Sequence, residues 1–116
     1  MPYTPAMLYQ GQPGVAETSL TLRPFNATAV PANTKVIVKQ VLLANTTGTL
    51  TAISISLVRS GGTAGAANRI VPSVNIDPNS VVAIDMSQVM EAGDFLSAAQ
   101  ATSGAITVTI SGVVVT

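Results

Sequence analysis

Ile53-Ser54-Ile55-Ser56-Leu57 alternates a large aliphatic side chain with a hydroxyl at every step. A period of two sends successive side chains to opposite faces, so this stretch predicts a β-strand with one face buried and one wet. Ile106-Thr107-Val108-Thr109-Ile110-Ser111 repeats the pattern near the other end of the chain. Ahead of both, Lys35 to Asn45 is apolar on both alternating sets: Ile37, Val41 and Leu43 with Lys39, then Val36, Val38, Leu42 and Ala44 with Gln40. That composition predicts a central strand, or one covered on both faces. Val81 to Met86 is a further strand, and Ala6–Gln10, Thr18–Leu22, Arg69–Ile76 and Phe95–Ala99 are weaker ones. No segment keeps a helical period; Ser87 to Glu91 has room for a single helical turn.

Turn residues punctuate these runs every eight to fifteen positions or so. Asn45-Thr46-Thr47-Gly48-Thr49 and Asp77-Pro78-Asn79-Ser80 are tight connections, and Glu91-Ala92-Gly93-Asp94 and Thr102-Ser103-Gly104 follow. Each predicts a hairpin between the strands it joins. Ser60 to Asn68, SGGTAGAAN, has no large side chain and predicts the most flexible loop. The expected fold is all-β: an antiparallel β-sandwich, jelly-roll or immunoglobulin-like, of about seven to eight short strands. Five of the seven prolines fall within the first 34 residues. Proline donates nothing to a ladder, so residues 1–29 are expected to form an N-terminal arm and edge strands beside a 30–116 sandwich core, one domain overall.

A chain of 116 residues is long enough to bury a core without staples. Charged residues are only 9%, five basic against five acidic, where about 25% is usual. Net charge zero removes the counterion release that drives nucleic-acid binding and the attraction to anionic membranes. It also removes the self-repulsion that keeps copies apart. Met1-Pro2-Tyr3-Thr4-Pro5 has neither the basic stretch nor the apolar run of a secretion signal, and no apolar run nears the ~20 residues of a membrane span. The expectation is a soluble chain made in the cytoplasm.

With no Cys and no His, thiolate chemistry and the usual general base and metal ligand are gone. A Ser-Lys pair is formally available through Lys35 or Lys39, but both lie in a β-rich run with no accompanying serine motif. Asp77, Asp85, Glu91 and Asp94 are the possible paired carboxylates, but Asp77 and Asp94 sit where Asp bonds nearby backbone amides. The acidic spacing does not match a calcium loop. Gly61-Gly62 has no following Lys and is not a phosphate loop. Asn26-Ala27-Thr28 and Asn45-Thr46-Thr47 fit the glycosylation sequon, and without a secretion signal both read as turn chemistry. No enzyme activity and no cofactor are expected. What remains is surface: Tyr3, Met7, Leu8, Tyr9 and Pro13 as an apolar stretch able to dock on a neighbour, and Arg23, Arg59 and Arg69 as partners for Asp85, Glu91 or Asp94 across a subunit interface.

Val30-Pro31-Ala32-Asn33-Thr34, Val36-Ile37-Val38-Lys39 and Leu43-Ala44-Asn45-Thr46-Thr47 follow one another in an order that resembles small β-sandwich virion proteins of tailed bacteriophages. The likeness continues through Leu57-Val58, Ser60 to Gly65, Ile70-Val71-Pro72, Asp77-Pro78-Asn79-Ser80, Glu91-Ala92-Gly93-Asp94 and Thr107-Val108-Thr109-Ile110-Ser111-Gly112. It spans about residues 30 to 116, and its specificity lies in order and spacing, since each motif alone is generic. The resemblance implies a virion structural protein, first a capsid decoration or cement protein on the head. A neck, tail or fibre position, or a glycan or cell-surface module, is the alternative. It further implies a homo-oligomer, a trimer by preference, bound to the major capsid protein or other virion proteins, and no catalytic residues.

Overall fold

Where the two-residue period is cleanest, strands form as the side chains dictate. The computed structural model describes residues 3–116. Its strands are β1 (Tyr3–Gly11), β2 (Thr18–Ser19), β3 (Lys35–Asn45), β4 (Thr51–Val58), β5 (Arg69–Ile76), β6 (Val81–Met90), β7 (Phe95–Gln100) and β8 (Ile106–Val115), with one turn of 3-10 helix at Ala66–Asn68. They make two four-stranded antiparallel sheets, β1-β8-β3-β6 and β2-β7-β4-β5. Within these sheets the first strand pairs with the last, β2 with β7, β3 with β6 and β4 with β5. A long hairpin rolled up on itself gives that order, which is the jelly roll, and it removes the immunoglobulin-like option.

The tight turns are real, but none of the four is a hairpin. Asn45–Thr49 leads from β3 in the first sheet to β4 in the second, and Asp77–Ser80 returns from β5 to β6. Glu91–Asp94 and Thr102–Gly104 likewise carry the chain between sheets. Only β4 and β5, joined across the Ser60–Asn68 loop, are consecutive strands that pair with each other. Turn chemistry reverses the chain; it does not choose the strand the chain then pairs with. The Ser60–Asn68 loop is tied internally, with Asn68 Oδ1 accepting from Gly65 N at 3.0 Å and its amide donating to Thr63 O at 2.9 Å.

Both sheets turn their aliphatic faces inward. Leu8, Val36, Val38, Val41, Leu43, Ile53, Ile55, Val71, Ile76, Leu96, Ile106, Val108 and Ile110 are fully or almost fully buried. β3 is apolar on both alternating sets for a different reason than double coverage. Its inward positions are Val36 and Val38, then Val41, Leu43 and Asn45, because the register slips between Val38 and Gln40 against both neighbours. A bulge exchanges the faces midway, so the two sets take turns facing the core. β1 slips at the same level, between Met7 and Tyr9. Gly112 lies beside both slips: a Cβ there would stand 2.1 Å from the Ile37 carbonyl oxygen and 3.1 Å from Leu8 Cδ1. Only glycine fits that row.

Residues 3–11 and 18–19 supply the edge strands expected of the N-terminal region. β1 pairs with β8 along its whole length and β2 pairs with β7, so both are edge strands of the sandwich itself. The prolines fit an edge, where a missing N–H breaks no ladder. Beyond β2, Leu20, Leu22 and Val30 close one end of the core. Ser87 to Met90 continues β6 as strand rather than forming a helical turn, since Gln88, Val89 and Met90 pair with Val38, Ile37 and Val36.

Candidate interaction surface

Cross-strand partners share a face, so the register lays out the outer face of the β1-β8-β3-β6 sheet row by row. One row is Pro5, Val113, Ile37 and Val89; the next is Met7, Ser111, Gln40 and Asp85. A third is Gln10, Thr109, Leu42 and Ala83, and the last holds Thr107, Ala44 and Val81. Aliphatic and hydroxyl side chains fill this face. Val81 and Val89 are 58% and 52% exposed at the two ends of β6, an exposure that marks a surface without a partner in the chain itself. Its charges are Lys39, which donates to Ser87 Oγ at 3.4 Å, Asp85, which accepts from Gln40 Nε2 at 3.1 Å, and Lys35, in a row with Val115 and Tyr3. A shallow groove lined by Pro5, Met7, Lys39, Thr109, Ser111 and Val113 runs across it.

The opposite outer face is closed by a polar clasp. Ser19, Ser97, Ser56 and Arg69 form a row across β2, β7, β4 and β5. Glu17, from the β1–β2 connection, accepts from Ser97 Oγ at 2.8 Å and from Arg69 Nη1 at 2.5 Å, and Arg69 Nη1 also donates to Ser56 Oγ at 2.7 Å. Ser56 and Ser97 are thereby buried although they face outward. This clasp binds the connection down to its own sheet; partly exposed ion pairs of this kind add modest stability.

The residues singled out in the sequence are scattered by the fold. Tyr3 (67% exposed) and Met7 (39%) are open on β1. Leu8 is in the core and Pro13 is buried, its carbonyl accepting from Gln100 Nε2, so neither reaches a neighbouring molecule. Tyr9 is half-buried, and burial pushes its phenol above the ordinary tyrosine range. Arg23 is exposed and donates to Met7 Sδ at 2.9 Å, the one pair among these residues that the fold joins through side chains. Arg59 and Lys35 both flank Glu91, at 3.7 and 3.9 Å. Arg69 pairs with Glu17 rather than with Asp85, Glu91 or Asp94, and it does so within the chain.

Three buried polar side chains, which the pattern of apolar residues could not reveal, set the corners between sheets. Asn45 Nδ2 donates to Thr49 O and Ile76 O at 2.8 and 3.0 Å, and its Oδ1 accepts from Thr47 N and Oγ1 at 3.0 and 2.8 Å. Its amide is fully engaged and 2% exposed, so the sequon there is a turn device and no glycan acceptor in this fold. Asp94 caps its own turn at Glu91 N (2.9 Å) and holds Ser60 N (3.1 Å). Gln100 ties β7 to Ile106 N at 2.8 Å and to the β1–β2 connection at Pro13. The TTG that follows Asn45 was a usable signal; Gln100, alone in an apolar strand, offered none.

Among the described residues no group of three or more Asp and Glu side chains could hold a metal ion. No protein-family model, curated protein or solved structure matches this chain.

Proposed function

We propose that this chain is a multi-copy structural protein of a tailed-phage particle, a decoration or cement protein that packs on the head surface beside the major capsid protein and acts without catalysis. The observation that carries the reading is the outer face of the β1-β8-β3-β6 sheet, whose charges are Lys35, Lys39 and Asp85 and which is otherwise built of Val, Ile, Leu, Ala, Thr and Ser with Tyr3, Pro5, Met7, Gln10 and Gln40. Four strands about 4.8 Å apart and about 30 Å long offer about 600 Å², near the ~800 Å² per partner of a specific interface. On a lattice, many copies need only modest affinity each, because the linked contacts add. Jelly rolls serve capsid proteins and lectins alike, so the fold supports the reading without assigning it. A lectin role is less favoured: Phe25 and Phe95 are half-buried, which leaves Tyr3 as the open aromatic platform.

The test is co-sedimentation of the purified chain with phage heads lacking it, followed by reconstruction of the decorated particle. Saturable binding at a fixed ratio to the major capsid protein, with heads that resist heating better, is the expected outcome. Density at the neck, tail or a fibre would move the protein within the particle. Absence of binding, together with absence of the chain from purified virions, would remove the reading altogether.

A further inference from the structure

A jelly roll leaves four edge strands, and each presents unpaired backbone donors and acceptors. Three of the four edges here carry a device that discourages pairing. β1 has Pro5 and a register slip at Leu8. β2 is two residues long. β5 has Pro72, two register slips against β4, and Ser73 in the left-handed region at φ 48°. β6 differs: it runs ten residues without a proline or a basic side chain, and both exposed valines of the sheet face lie on it. Its odd-numbered residues point outward from Val81 to Val89 without interruption, since the slip in this ladder changes the faces of β3 instead.

From this contrast we infer that β6 is a docking edge whose occupant is β6 of a second copy of this chain, paired antiparallel about a two-fold axis at Met86. The inference deepens the assembly reading above and rests on it for its biological setting.

The register follows from three requirements. Outward residues must oppose outward residues, because a one-residue slip would set each copy's solvent face against the other's core face. The overlap must use most of the strand, which leaves axes at Asp85 or Met86. An axis at Asp85 places that carboxylate opposite its own copy. An axis at Met86 sets Asp85 opposite the partner's Ser87, whose hydroxyl can donate to it, and Ala83 opposite the partner's Val89. Nine residues from each copy then pair, and the two sheets become one. Backbone hydrogen bonds supply the affinity, as in other strand-addition contacts. The net charge of zero leaves no overall repulsion to overcome. Closure after two copies makes the unit a dimer, where the resemblance had implied a trimer.

Ser87 gives the test its sign. Ser87→Lys would create two Asp–Lys rungs across the axis and Ser87→Asp two Asp–Asp rungs; each rung shifts the equilibrium a few-fold, so the pair of variants should move the dimer constant about tenfold in opposite directions. Within one chain the neighbouring Lys39 acts with the reverse sign, favouring Asp and opposing Lys at position 87. Thermal unfolding at low concentration therefore separates a folding effect from a pairing effect. Sedimentation equilibrium should show a concentration-dependent dimer, tightened by Ser87→Lys and loosened by Ser87→Asp. A wild-type chain that stays monomeric at millimolar concentration, or a dimer that both variants shift the same way or leave alone, would overturn the pairing. A β6 dimer that ignores phage heads would refute the virion reading and leave the edge pairing standing; a monomer that decorates heads would do the reverse.

Discussion

Replacing Asn45 by alanine should cost this fold more than most exchanges in its aliphatic core. The side chain leaves the end of β3 in one sheet and bonds Ile76 O at the end of β5 in the other, while closing the Thr47–Thr49 turn between them. Four hydrogen bonds at a net contribution of about 1 kcal/mol each amount to about 4 kcal/mol. The Ile76 carbonyl would lose its side-chain donor from the other sheet. Against a total of roughly 5–15 kcal/mol for a domain of this size, that is a large share. Urea unfolding followed by far-UV circular dichroism should show the midpoint falling by about 2 M for an m-value near 2 kcal/mol/M, with m unchanged. Asn45→Asp is the sharper control. It keeps both acceptor bonds from Thr47 but presents a carboxylate to two carbonyl oxygens, so it should be at least as damaging at pH 7 and partly relieved in acid. A loss below about 1 kcal/mol for Asn45→Ala would show that the inter-sheet corner is held by packing alone and that the polar clamp is incidental.

Gly112→Ala brings a methyl carbon to 2.1 Å from the Ile37 carbonyl, a backbone atom that can move only if β3 and β8 separate; a loss of about 3 kcal/mol or more is expected, read from the same urea curves. Thr51→Val should act in the opposite direction, because the buried Thr51 Oγ1 has no hydrogen-bond partner while the β-branched shape is kept. A gain of about 1–2 kcal/mol, seen as a rise of several degrees in Tm, is the expected outcome, and a loss would reveal a partner for that hydroxyl. Tyr9 supplies a pH dependence. Its phenol is raised by burial, so the folded chain holds the proton to higher pH than the unfolded one. The stability it contributes is complete below pH ~10 and is lost as pH climbs from there through the folded value. Unfolding curves between pH 8 and 11.5 should converge with those of Tyr9→Phe in slope only if this account is wrong.

Fold class was legible because alternation is a local property. Ile53–Leu57 and Ile106–Ser111 can bury their aliphatic sides only as strands, and a chain 9% charged with no sustained helical period has few other ways to hide so much apolar surface. β3 and β5 have the bounds that patterning gave them. β6 proved longer than its apolar stretch, because Ser87, Gln88 and Val89 are held as strand by their partners on β3 rather than by their own preferences. The positions of the turns were also legible, since Asp77-Pro78-Asn79-Ser80 and Glu91-Ala92-Gly93-Asp94 carry the backbone preferences of a reversal in their own side chains.

Which strand lies beside which was decided elsewhere. β1 meets β8 across nearly the whole chain, and no feature of Tyr3–Gly11 names that partner; the pairing exists because rolling the sandwich leaves β8 an open side and Leu8 a place in the core. For the same reason the apolar N-terminal stretch became an edge strand with Leu8 turned inward, and Arg59 and Arg69 met acids of their own chain. The sequence by itself determined the periodicity, the neutral surface and the stopping points. The tertiary structure alone decided the order of strands, the face exchange at Lys39 and the one unguarded edge, because each depends on contacts between residues that local preference cannot bring together.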